Sequence, residues 1–132
     1  MRNDRGASTL ELAFIAPLLF ILALGIVDMG RALAVGVSVS EAAQEGLIYA
    51  SYQPAETDAI VDRVIFSTNE PRLEADQVTV TCPSAPADHI AVTVDYELEL
   101  MTPFVADLLG GNVHLSKTVI GEVFSEDPCI GS

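Results

Sequence analysis

Basic residues are scarce in this chain: six lysines and arginines stand against nineteen aspartates and glutamates in 132 residues. The shortage is uneven. Up to Ala34 the signs balance, three of each, whereas beyond it only Arg63, Arg72 and Lys117 face sixteen acids. A surface of that sign repels phosphate backbones and anionic head groups, which excludes nucleic acid as a partner. Cysteine is equally sparse. Cys82 and Cys129 are too few for a disulfide scaffold, and neither stands in a C-x-x-C spacing that would mark zinc or redox chemistry. His89 and His114 are isolated, with no partner at metal-ligand spacing, and read as ordinary surface or sheet-edge residues. No phosphate-binding loop, zincin or catalytic triad pattern occurs, and Ser8-Thr9 and Ser38/Ser40 carry no nucleophile motif. An enzyme, a cofactor and a small-molecule substrate are therefore not expected.

What is present is a long apolar run. Leu12 to Val27 contains no charge, and Glu11 stands directly in front of it. Crossing the hydrocarbon core takes about 20 residues. The strict run is slightly short, but apolar character resumes after Asp28 and Arg31 with Ala32, Leu33, Ala34, Val35 and Val37. Helix is the expected conformation because lipid tolerates no unsatisfied backbone polar groups. Pro17 removes one intrahelical bond and is expected to kink the helix. Asp28 and Arg31, three apart, share a helical face, where they can pair or reach the head groups. Arg2 and Arg5 favour a cytoplasmic N-terminus, with the acidic remainder translocated.

Three fates fit this arrangement. One is an uncut signal anchor. A second is a secretory signal peptide cut at Ala23-Leu24-Gly25, which Glu11 and the renewed apolar helix weaken. The third is a cytoplasmic cut after Gly6 that leaves the helix attached. Glu11 separates them, because a carboxylate at the edge of hydrocarbon costs energy and usually has a partner. A cut after Gly6 frees an amine on Ala7, which can neutralise Glu11 within one helix or between neighbours. The alternative is that Glu11 merely marks the water boundary.

Beyond the anchor, Val35, Val39, Ala42, Ala43, Gly46, Leu47 and Ala50 continue at helical spacing, so the helix projects with one face packed on a domain. Ala32, Gly36 and Ser40 form a small-residue stripe that permits close helix packing. Pro54 ends the helix, and Glu56 to Phe66 repeats the period in a second one. Strands follow. Val78, Val80 and Cys82 alternate with Thr79 and Thr81. Ile90, Val92, Val94, Tyr96, Leu98 and Leu100 alternate with polar or small residues. Asp95, Glu97 and Glu99 on the second face read as a solvated surface more than a cation site. Thr102-Pro103 starts a helical turn that closes at Gly110-Gly111-Asn112. A last strand runs from Val113 to Phe124, with a bulge expected near Lys117.

The fold class expected is α+β. A long N-terminal transmembrane helix continues into a small exported domain with a second helix and an antiparallel sheet of about three strands. If the compartment is oxidising, Cys82 and Cys129 can bridge, closing a loop worth about 4 kcal/mol in the chain-entropy model.

Several of these residues, taken together, have a familiar order. Arg5-Gly6-Ala7-Ser8-Thr9-Leu10-Glu11-Leu12-Ala13-Phe14, then Ala16-Pro17-Leu18-Leu19-Phe20, then Gly25-Ile26-Val27-Asp28-Met29-Gly30-Arg31-Ala32-Leu33 resemble the TadE-like family. These are pilin-like proteins of the tight-adherence (Tad, or Flp) pilus system of bacteria. Ala42-Ala43-Gln44-Glu45-Gly46 is similar to the family's Ala-rich stretch, with Gln44 where Arg is frequent. The specific match spans about the first third of the chain.

The resemblance implies a leader, residues 1–6, removed by a prepilin peptidase between Gly6 and Ala7. It implies an anchor helix and its extension over 7–52, including Leu12, Pro17, Val27, Asp28 and Arg31, and an exported domain over 53–132. The protein would sit in the bacterial inner membrane, with other pilin-like subunits and the pilus assembly platform as partners and the lipid bilayer around its helix. Ala7 and Glu11 would serve subunit assembly. A second class of function is a membrane-tethered binding module that captures a cation or an extracellular partner without entering a filament.

Overall fold

The computed structural model describes residues 4–83, 88–103, 106–107 and 110–125, with side chains from Thr9 onward. Helix α1 runs unbroken over Asp4–Tyr52, a length of about 73 Å at 1.5 Å per residue. Pro17 lies inside it without ending it. Helix α2 occupies Thr57–Ser67, and a 3-10 turn at Ala75–Gln77 leads into β1, Val78–Thr81. Strands β2, His89–Leu98, and β3, Val113–Glu122, complete an antiparallel sheet in the order β1-β2-β3. The fold is thus the α+β arrangement of one long apolar helix, a second helix and a three-stranded sheet.

The two halves of α1 differ in what surrounds them. From Thr9 to Val27 the large side chains lie open, among them Leu12, Phe14, Leu18, Phe20 and Ile26. From Val39 onward one face is buried: Val39, Ala42, Ala43 and Ala50 meet Ile60 and Val64 of α2 and Ile90, Val92 and Val94 of β2. Small residues on that face let two elements close on one helix. At Gly46 a Cβ would run into the Val64 side chain, so glycine sets how near α2 comes. Across the same helix, Leu47 leans on β3 at Gly121, where a Cβ would sit 3.0 Å from Leu47 Cδ2.

The corner between α1 and α2 is held by polar contacts around a buried Pro54. The Tyr49 hydroxyl lies 2.9 Å from Gln53 Oε1 and 3.0 Å from Glu56 Oε2. Arg63 Nε donates to Glu45 Oε1 at 2.9 Å, tying α2 back onto α1. Past β3, Phe124 N–H donates to Ser51 O at 2.8 Å, and its ring lies 5.8 Å from that of Tyr52.

The strand reading needs three corrections. No bulge occurs at Lys117: β2 and β3 pair continuously from His89↔Glu122 to Leu98↔Val113, with Lys117 opposite Val94. Lys117 keeps the inward phase yet reaches water because β3 is an edge strand. Gly121, which disturbs the apolar alternation, is the residue that admits Leu47. The strands are also shorter than expected, with β2 ending at Leu98, β3 at Glu122, and Cys82 standing just past β1. Finally, the second face of β2 is not solvated throughout: Ala91, which lies on it, is buried.

Candidate functional site: the N-terminal helix and its clasp

Thr9 to Val27 is nineteen residues of helix, about 28 Å, which matches a hydrocarbon core of about 30 Å. α1 is long and apolar enough to cross a membrane, and its most apolar stretch has no burial inside the molecule. Glu11 stands exposed near the start of that stretch. Gly6 and Ala7 lie in the first turns of the same helix, so Ala7 and Glu11, four apart, share a face. Leu12, Pro17 and Val27 are exposed along the span. Further along, Gly25 and Gly30 floor an open apolar groove walled by Leu22, Ile26, Met29 and Leu33.

Where the span ends, the domain takes hold of the helix. Asp28 is the first charged residue after the apolar run, and its side chain is 2% exposed. Its carboxylate accepts from the backbone N–H of Met101, 3.1 Å from Oδ1, and of Thr102, 3.0 Å from Oδ2. Arg31 stands 3.9 Å from Asp28 Oδ1, so the expected pair forms, though at long range. The same guanidinium lies 3.5 Å from the Glu99 carbonyl oxygen. Asp28 therefore does not reach for head groups: both its oxygens hold the segment between β2 and β3. Hydrogen bonds to a charged acceptor contribute more than neutral ones, about 1.5–3 kcal/mol each.

This clasp was not foreseen from the sequence. Its one signal was an acid at the last turn of an apolar run with nothing nearby in sequence to bury it. Gly46 was likewise read as part of an apolar face, when its role is to let α2 approach. The other polar candidates are less organised. His89 Nδ1 lies 3.0 Å from Asp88 Oδ1, and that contact holds the Asp88 carboxyl below its usual range. His114 Nε2 lies 3.6 Å from Asp95 Oδ1, the histidine exposed and the aspartate half-buried on the sheet. Cys82 is disulfide-bonded, whereas Cys129 lies outside the described residues.

A long helix that is bare and apolar at one end and wrapped in a small α+β domain at the other has the build of a membrane-anchored protein. The model of the TadE-like protein family matches residues 6–47, the stretch that the resemblance had indicated. The matched segment begins at Gly6, contains Ala7, Glu11, Asp28, Arg31 and Gly46, and stops within α1. The likeness thus covers the anchor and the clasp's helical side, and none of the sheet. No curated protein and no solved structure matches the chain.

Proposed function

We propose that this protein is a pilin-like structural and assembly subunit of a Tad-type pilus or a related secretion machine. The observation that carries the reading is the TadE-like match starting at Gly6 on a helix whose apolar end is left bare by its own domain. A prepilin peptidase removes residues 1–6, and the mature chain begins at Ala7. The helix then holds the subunit in the inner membrane, N-terminus towards the cytoplasm, with the acidic domain exported. The Ala7 amine and Glu11 make the contact with neighbouring pilin-like subunits at the assembly platform. In the exported compartment Cys82 and Cys129 bridge, fastening the C-terminal end to the sheet.

The test is the intact mass of the protein purified from membranes that contain the peptidase. A chain starting at Ala7 is expected; Met1 retained would reduce the protein to a plain anchor, and a start at Ile26 would make it a secreted domain. The same spectrum, taken after alkylation without reductant, should show no thiol adduct, and two adducts would refute the bridge.

A further inference from the structure

The Asp28 clasp fixes more than the fold of the domain: it fixes how close one part of the domain stands to the membrane. Asp28 closes the apolar run, and the backbone it grips is that of Met101 and Thr102. Those two residues therefore sit at the level of the helix where hydrocarbon gives way to head groups. Thr102 is buried in the clasp, while the Met101 side chain is 70% exposed. On the helix, Val27 and Met29 are exposed on either side of Asp28. An open, unbranched apolar side chain held at that level has an apolar medium beside it.

We propose that the start of the β2–β3 connection, at Met101, is a membrane-surface contact that inserts the methionine among the head groups and upper acyl chains of the bilayer. The contact makes the domain sit on the membrane at a fixed height instead of swinging on the helix. Its ligand is the apolar margin of a zwitterionic lipid surface. Glu99 is exposed two residues before Met101 and the Arg31 guanidinium lies 3.5 Å from the Glu99 carbonyl oxygen, so both signs of charge stand beside the methionine, as they do in a zwitterionic head group. The inference rests on α1 spanning the bilayer from about residue 9 to about residue 27.

The chain contains no tryptophan, so a single introduced one reports its own surroundings. Met101→Trp, Phe20→Trp and Tyr52→Trp are made separately in the full chain and reconstituted into phosphatidylcholine vesicles. Some vesicles carry bromine on the upper acyl chain and others near its end, and iodide serves as the aqueous quencher. Position 20 lies within the span, and position 52 lies about 36 Å along the helix from Asp28. The expected result is blue-shifted emission at position 101, strongly quenched by brominated lipid and several-fold less sensitive to iodide than position 52. Position 101 open to iodide and untouched by bromine, with position 20 quenched by bromine, would overturn the contact and leave the anchor standing. Bromine quenching at position 52 equal to that at 101 would also overturn it, since the domain would then lie flat. Position 20 unquenched by bromine would remove the anchor reading and the contact together.

Discussion

Asp28 shows how one side chain can serve two environments. A carboxylate at this point of a membrane helix would be costly if it faced lipid. Burying it under Met101 and Thr102 gives each oxygen a backbone donor at 3.1 and 3.0 Å. Removing the acceptor leaves the buried Thr102 amide and the part-buried Met101 amide unpaired, at about 1–3 kcal/mol for a buried unsatisfied group and less for the other. Asp28→Ala should therefore lower the thermal midpoint of the detergent-solubilised protein by several degrees, since about 1 kcal/mol moves a domain of this size by about 4–8 °C. Arg31→Ala should cost much less, because Arg31 is partly exposed and its contacts are long, at 3.5 and 3.9 Å. Circular dichroism melts of the two variants decide it. Equal shifts would mean that Asp28 contributes no more than a surface ion pair. The sequence placed Asp28 and Arg31 on one helical face, and they are on one face. It could not place Met101 there, since a clasp across 73 residues of chain depends on how the sheet folds back and leaves no local period.

At the scale of elements, what was legible follows from whether burial imposed a period. The β2 alternation was clear because α1 and α2 cover one side of it, and Ile90, Val92, Val94 and Leu98 are all buried. β3 was muddled because it lies at the sheet edge, where half-buried and exposed residues alternate without strong selection. Its register comes from pairing with β2, which no reading of β3 alone contains. The α1–α2 contact was legible as two apolar faces, but the closeness of their approach was not, because a missing Cβ has no hydropathy. Gly46→Ala measures that closeness. The added methyl meets Val64, and overpacking of this kind costs about 1–3 kcal/mol. The loss should appear as a lower denaturation midpoint with unchanged membrane insertion. Adding Val64→Ala should recover part of it, because the second change vacates the space that the first one fills. A double variant no more stable than Gly46→Ala alone would place the cost elsewhere, for instance in the helix backbone.

At the scale of the whole molecule, the charge distribution and the apolar helix divide the chain into a bare, nearly neutral helical part and a strongly acidic folded part. The excess negative charge lies beyond Ala34. If the acidic domains are exported subunits, as proposed, their like charge makes them repel one another, and cohesion must come from the helices. Bare apolar surface gives no preference for another helix over lipid, since acyl chains are as apolar as leucine. Under the proposed function, the feature that provides one is Glu11, exposed at the cytoplasmic end of the span, facing the Ala7 amine of a neighbour. Glu11→Ala should leave insertion and the distal fold intact, because removing a charge eases entry into hydrocarbon. It should weaken association, since an amine stripped of its partner costs about 3–5 kcal/mol where the pair is buried between helices. Crosslinking between the membrane helix and other pilin-like subunits should accordingly fall by orders of magnitude in equilibrium terms while the amount of protein in the membrane stays constant. Crosslinking and pilus assembly unchanged from the wild type would show that Glu11 marks the water boundary and nothing more.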